Sequence, residues 1–429
     1  GKHFTLDKPA FAKFLKDEES ALSKAGFLFS QKKKGIIPEF LEYYYNKRVV
    51  IKKKLFKVRQ QYEKDNTNTT LKYEVERLNT EQMVIKILIN SCYGYMGNKH
   101  APIGDDDIAS SVTLTGQAVI KESNKVIKRY IKEHIPTISD RDLEECIIYN
   151  DTDSSYVSIS PLVKNGMTKF WDGKNVHQET YDRIQDIEDY LNKAINSWAE
   201  KALLTKDSRF IFKREMIADV GVFLQKKRYV MHILDDEGIK ENKFKYTGVE
   251  VVRTTMPNAI KPYAKKIIET MMMSQSLKKT NDILNETYDI FKSLSPQDMS
   301  FVMGVKNYNK YSVQCSEFNT CKGMPIHVKS AYYYNIMLQK LKTGNKYEEI
   351  GSGDKVRYMY VEQPNRFGLG TIGFKYDYPE EFAELFSPDY EKMFEKILFE
   401  SIKRFYDNVG WVIRKPSANV QTELFDLFA

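Results

Sequence analysis

No stretch of the 429 residues is apolar over anything near the ~20 positions needed to span a bilayer. The opening Gly1-Lys2-His3-Phe4 lacks the basic, apolar and small-residue pattern of a secretory signal. A membrane partner is therefore not expected. No Gly-x-x-x-x-Gly-Lys-Ser/Thr loop is present, which argues against a P-loop helicase or nucleotide-hydrolysing switch. Cysteine is scarce: Cys92, Cys146, Cys315 and Cys321 have neither zinc spacing nor the density of a disulfide framework, so free thiols in a reducing compartment are expected. Asn68-Thr69-Thr70 matches a glycosylation sequon but, without a secretory signal, reads as a polar loop. Glycine (21) and proline (13) are sparse and no repeat or low-complexity tract occurs, so disorder is not the default.

What is abundant is aromatic and basic. With 28 tyrosines, 24 phenylalanines and 42% hydrophobic residues, the chain can bury the cores of two or three domains. Its net charge of +8 is concentrated. Residues 31–60 hold Lys32, Lys33, Lys34, Lys47, Arg48, Lys52, Lys53, Lys54, Lys57 and Arg59 against only Glu39 and Glu42, so this window alone accounts for the excess. A patch of that kind suits a polyanionic partner, although a solvated helix face has the same composition.

Period and breakers give the organisation. A short helix is predicted over 8–25, then a strand at 26–29. A long helix starts near Pro38 and runs from Glu39 to Lys64, and the turn-forming run Asp65–Thr70 separates it from a second helix over 71–89. Two long helices joined by so short a loop pack antiparallel, as a helical hairpin. A further helix is predicted over 110–134, then strands at 145–149 and 154–159 around Asn150-Asp151-Thr152-Asp153. Residues 180–205 read as helix, 210–246 as strand-rich, and the chain after Pro257 as largely helical with an irregular stretch at 343–373. The fold class implied is α+β.

Four constellations could carry chemistry. Asp151 and Asp153, two apart, would point to one side of a strand, and paired hard-oxygen donors suit Mg²⁺; a polar turn closed by an Asx bond is the ordinary alternative. Arg48 and Lys52 share a helix face, as do Lys86, Asn90 and Tyr93, and an antiparallel hairpin can bring both faces to one volume, where three cations would neutralise a triphosphate. Lys226-Lys227-Arg228-Tyr229 opens a strand, with a basic side chain free to meet a nucleic-acid backbone while the tyrosine packs inward. At the carboxyl end Leu424, Phe425, Leu427 and Phe428 form an apolar plug suited to a partner's groove, or to the chain's own core.

In their order along the chain, these segments resemble the signatures of family B DNA polymerases, and most of all those of the T-even-type phage replicative enzymes. They are Gly35-Ile36-Ile37-Pro38 leading to Asn46-Lys47-Arg48, Lys86-Ile87-Leu88-Ile89-Asn90-Ser91-Cys92-Tyr93-Gly94, Tyr149-Asn150-Asp151-Thr152-Asp153-Ser154, Arg214-Glu215-Met216-Ile217-Ala218, Lys226-Lys227-Arg228-Tyr229, and Gly248-Val249-Glu250 through Thr254-Thr255-Met256-Pro257. The resemblance implies a right-hand architecture: residues 1–31 ending a first palm segment, 32–98 a helical-hairpin fingers domain, 99–249 an antiparallel-sheet palm with the metal-binding hairpin, 250–415 a mainly helical thumb, and 416–429 a clamp-binding tail. It further implies that Asp153 bridges two catalytic Mg²⁺ ions with Asp151 beside it, that Arg48, Lys52, Lys86 and Asn90 hold an incoming dNTP with Tyr93 near the nascent base pair, that Lys226–Tyr229 meets primer-template DNA, and that Leu424, Phe425, Leu427 and Phe428 engage a sliding clamp.

The likeness is incomplete. The family's second metal-binding aspartate, in an Asp-x-x-Ser-Leu-Tyr-Pro-Ser-like strand, has no counterpart here, nor has the proofreading exonuclease. Asp186-Ile187-Glu188 is a lone Asp-x-Glu on helix surface, and Asn150 replaces a small residue. The expectation is a C-terminal part or subunit of a split polymerase, in the cytoplasm of an infected bacterial host, completed by an N-terminal polymerase/exonuclease polypeptide. A non-catalytic DNA- and clamp-binding subunit of the same fold is the alternative.

Overall fold

A computed structural model describes residues 8–416. The chain divides into two compact units, one running to Ile217 and including Leu234–Glu241, the other formed by Ala218–Ile233 and the residues from Asn242 onward.

In the first unit α1 (Lys8–Asp17) leads into an antiparallel hairpin of β1 (Ser20–Leu22) and β2 (Leu28–Ser30). The helix predicted to reach residue 25 stops at Asp17 because Glu19 takes a left-handed backbone (φ 48°) and Ser20 begins to pair with Ser30. The predicted helical hairpin is present as α2 (Ile36–Lys64) and α3 (Thr69–Met96). Pro38 lies in the first turn of α2, where a missing N–H costs nothing. The sequon asparagine is a helix cap: Asn68 Oδ1 accepts from the Leu71 N–H at 3.1 Å. Tyr44, Ile51, Leu55 and Val58 pack on Leu71, Val75, Leu78, Ile85 and Ile89. Those positions alternate by three and four residues, the seam spacing of antiparallel helix pairs. Arg48 and Gln82 fall on the same seam and are its polar pair.

Next come α4 (Asp106–His134), α5 (Asp140–Glu145), β3 (Ile147–Asp151), β4 (Ser154–Val157), α6 (Ser160–Lys164), the two-residue strands β5 (Trp171–Asp172) and β6 (Asn175–Val176), and α7 (Gln178–Ala202). The Asp105 carboxylate caps α4 by accepting from the N–H groups of Asp107 and Ile108. Val119, Val126, Ile127, Tyr130 and Ile131 make one apolar stripe on α4 and meet Leu191 and Ile195 of α7, with Cys146 and Leu162 filling the floor. Burial raises the Cys146 thiol above its usual value. All four cysteines are free.

The strands β7 (Met216–Gln225), β8 (Arg228–Asp236) and β9 (Ile239–Thr247) form a three-stranded sheet in that order, and each contributes residues to both units. In its second-unit part His232 is buried, hydrogen-bonded through Nδ1 to Asp219 (2.8 Å) and through Nε2 to Asn242 (2.7 Å).

The second unit continues with α8 (Lys261–Ser274), α9 (Leu277–Lys292), α10 (Pro296–Met299), β10 (Phe301–Gly304), α11 (Tyr308–Ser312), α12 (Ile326–Leu341), β11 (Lys355–Tyr360), β12 (Thr371–Phe374), α13 (Glu380–Ala383), α14 (Tyr390–Phe394) and α15 (Glu400–Asn408). The stretch predicted as irregular contains β11 and part of β12, which with β10 make an antiparallel sheet. α12 covers it and is buried almost all round, through Val328, Ala331, Tyr332, Tyr333, Tyr334, Met337 and Leu338. Mixed helix content and small antiparallel sheets place the chain in the α+β class. No described helix is long and apolar enough to cross a membrane.

Candidate active site

The hairpin of β3 and β4 carries Asp151 and Asp153. Its register pairs Asp151 with Ser154, Asn150 with Ser155 and Tyr149 with Tyr156, with an irregularity between Ile147 and Tyr149 that leaves Ile148 unpaired and exposed. Bulges of this kind re-aim side chains beside functional sites. β3 ends at Asp151, so strand alternation does not place Asp153 beside it as the spacing suggested. Instead Thr152 takes a left-handed backbone (φ 56°) and the Asp153 N–H donates to the Asp151 carbonyl at 2.7 Å, folding both carboxylates into one tight turn. A β-branched residue in that region is strained, at a cost on the order of 1–3 kcal/mol. Asp153 is exposed, and Asp151 Oδ1 accepts from the Thr152 hydroxyl at 3.1 Å.

Asn150 points elsewhere. The Ser155 hydroxyl lies 2.9 Å from Asn150 Oδ1 and 3.2 Å from Asn124 Oδ1 on α4, so Asn150 faces the helix that backs the hairpin.

The hairpin helices place their cations in a line. Arg48 opposite Gln82, and Lys54 opposite Glu74 at 3.1 Å, fix the antiparallel register. Lys86 therefore lies one turn beyond the Arg48–Gln82 pair in one direction and Lys52 one turn beyond it in the other. At 1.5 Å per residue, the three cations span about 12 Å along the hairpin. Arg48 Nε donates to Gln82 Oε1 at 3.2 Å, leaving its two terminal nitrogens for other partners. Lys86, Asn90 and Tyr93 are exposed, whereas Lys52 is paired with Glu237. Gln82, buried at 7% exposure, was not foreseen; a lone polar residue at a seam position was the signal available.

Residues 226–229 separate. Lys226 and Lys227 form an exposed two-residue turn between β7 and β8, with Lys227 left-handed (φ 61°), rather than the start of a strand. Gly248 seals that turn: a Cβ on it, at φ +60°, would stand 2.1 Å from the Lys227 carbonyl oxygen, so only glycine fits. Tyr229 packs inward as expected, 4% exposed and stacked on Phe223 at 5.2 Å. Arg228 is ion-paired with Glu250, which also accepts from Arg404 at 2.8 Å. Burial, then the charges of Arg404 and Arg253, lower the Arg228 guanidinium from its usual value. The segment carrying Leu424, Phe425, Leu427 and Phe428 lies outside the described residues.

A family model described as DNA polymerase family B matches residues 13–409. The chain belongs to DNA polymerase family B. Among family B relatives, it is 25% identical over 368 residues to the DNA-directed DNA polymerase of Escherichia phage RB69, covering 81% of this chain and 38% of that protein. It is 24% identical over 459 residues to the DNA-directed DNA polymerase of Enterobacteria phage T4, covering 92% of this chain and 49% of that one. The DNA polymerase zeta catalytic subunit of Saccharomyces cerevisiae matches at 23% over 306 residues, 71% of this chain and 18% of its own. The chain thus spans half or less of the length of these relatives.

Proposed function

We propose that this chain is the C-terminal part or subunit of a DNA-directed DNA polymerase, adding dNTPs to a primer 3′-hydroxyl under the direction of a template. The observation carrying this is the strained turn that presents Asp151 and Asp153 within a family B chain. Two carboxylates are hard-oxygen donors of the kind Mg²⁺ takes, and they fit as half of a site. Among the described residues no group of three or more His, Cys, Asp or Glu side chains could hold a metal by itself. We assign the second acid to an N-terminal polymerase/exonuclease portion. When bound, a pair of Mg²⁺ ions would activate the 3′-hydroxyl and stabilise the departing pyrophosphate.

The chain's own residues orient and neutralise. Asp153 would be the principal metal-holding carboxylate, with Asp151 assisting it. Arg48, Lys52 and Lys86 bind the triphosphate, Asn90 supports them, and Tyr93 borders the nascent base pair. Lys226 and Lys227 meet the backbone of primer-template DNA, and Arg228 and Tyr229 hold their turn in place. Residues 32–98 act as fingers, 99–249 as palm and 250–415 as thumb, with residues 1–31 completing a palm segment. The phage relatives favour the cytoplasm of an infected bacterial host as the setting.

Primer extension by this chain alone, and after mixing with the polypeptide supplying the remainder, tests the assignment. Activity only in the mixture is expected; inactivity in both favours a DNA- and clamp-binding subunit. The 416–429 tail is assigned to a sliding clamp. Deleting Leu424–Ala429 is expected to spare unassisted synthesis and abolish stimulation by the clamp, and equal stimulation after deletion removes that assignment.

A further inference from the structure

The tip of the β8–β9 hairpin is held more firmly than a solvent turn requires. The Asp235 carboxylate, 1% exposed, accepts from the Gly238 N–H at 2.8 Å, from the Tyr181 hydroxyl at 3.2 Å and from the Arg214 guanidinium. The Glu237 N–H donates to the Glu215 carbonyl at 2.6 Å. From α2, the Phe56 ring covers Gly238, 3.6 Å from where a Cβ would stand. On the same face of α2, one turn before Phe56, is Lys52, and its ammonium meets the Glu237 carboxylate. Glu237 holds a left-handed backbone (φ 55°), which asparagine or glycine would adopt at less cost. A glutamate at a position whose backbone disfavours it, on a tip fastened from three sides, is accounted for by its charge.

We propose that Glu237 is a resident counter-ion for Lys52. It holds the ammonium while no nucleotide is bound and is displaced by the phosphates of an incoming nucleoside triphosphate. This rests on the assignment of Lys52 to the triphosphate. The pair is partly exposed, 32% at Lys52 and 45% at Glu237. Exposed pairs shift an equilibrium by only ~1.5–5-fold, weak enough for a polyanion to displace one carboxylate. Since the lysine is available only while unpaired, apparent affinity is reduced by the fraction of time it is engaged.

The test is a calorimetric titration of the full chain with dTTP and, separately, with inorganic triphosphate. Glu237→Gln is expected to tighten both by ~2–5-fold. Glu237→Asn, which suits the left-handed backbone, is expected to do the same and guards against a folding artefact. Lys52→Ala should weaken both by ~10-fold, the loss of one charge-assisted contact, and adding Glu237→Gln to it should change nothing. Unaltered binding by Lys52→Ala, or no binding by the wild-type chain, overturns the triphosphate assignment and this inference together. Weakening by Lys52→Ala with no tightening from either Glu237 variant overturns the counter-ion role alone. Tightening that persists without Lys52 also overturns it, because the effect would then be the general removal of a negative charge.

Discussion

Asp153→Ala is expected to lower primer extension by the assembled enzyme by ~10³-fold or more and to leave primer-template affinity within about twofold. Removing one preorganised group that stabilises transition-state charge costs ~10²–10³-fold, and on the proposed assignment Asp153 would also hold the metal charge the reaction needs. The proposed duplex contacts are other residues, Lys226 and Lys227, so duplex affinity should not follow. Asp153→Asn separates charge from shape, since the Asp153 N–H to Asp151 carbonyl bond that folds the turn is main chain and survives the change. It should be nearly as inactive as alanine. Asp151→Ala should lose less, because one Asp151 oxygen is already engaged by Thr152. Rapid-quench extension with excess primer-template measures all three. Extension by Asp153→Ala within ten-fold of the parent would remove the metal assignment.

How much of this was legible depended on the sequence distance over which each feature is decided. The α2–α3 hairpin was, since its seam repeats every three and four residues and its loop is a dense run of turn formers. Its ends were not. Asn68 looked like loop until its side chain capped α3, and residues 90–96 continue the helix despite Gly94. The inward packing of Tyr229 was legible from the strand that follows. The turn at Lys226-Lys227 was not, because Gly248, about twenty residues on, shapes it. The β10–β11–β12 sheet escaped for the same reason. Its strands are four to six residues long and set in a glycine-containing stretch, and their burial comes from α12, distant in sequence. Asp151 and Asp153 were legible as residues but not as a shape, since their closeness comes from the left-handed Thr152 rather than from strand period. Glu237 carried no signal, as its partner Lys52 is 185 positions away.

Gln82→Leu separates stability from function at the hairpin. Gln82 sits between Leu78 and Ile85 on the seam, buried, where leucine completes an apolar row. Leucine gains apolar burial there but leaves the half-buried Arg48 Nε–H without its acceptor, so the two effects are expected to offset and leave the hairpin's stability within about 1 kcal/mol of the parent. The same change releases Arg48. Its Nε now donates to Gln82 Oε1, which fixes the plane of the guanidinium and directs the two remaining nitrogens. A guanidinium so fixed can grip a phosphate in bidentate fashion. Without the amide the side chain regains rotamer freedom, and the KM for dNTP is expected to rise about 3–10-fold. Arg48→Lys should cost more, ~10–100-fold in KM, because a point-like ammonium lacks the planar fork and the charge-assisted bidentate contact is lost. Steady-state extension with a thermal melt of each variant reads both effects. A hairpin of parental stability with an unchanged KM would mean that Arg48 reaches no phosphate, and the line of three cations would then be a solvated helix face.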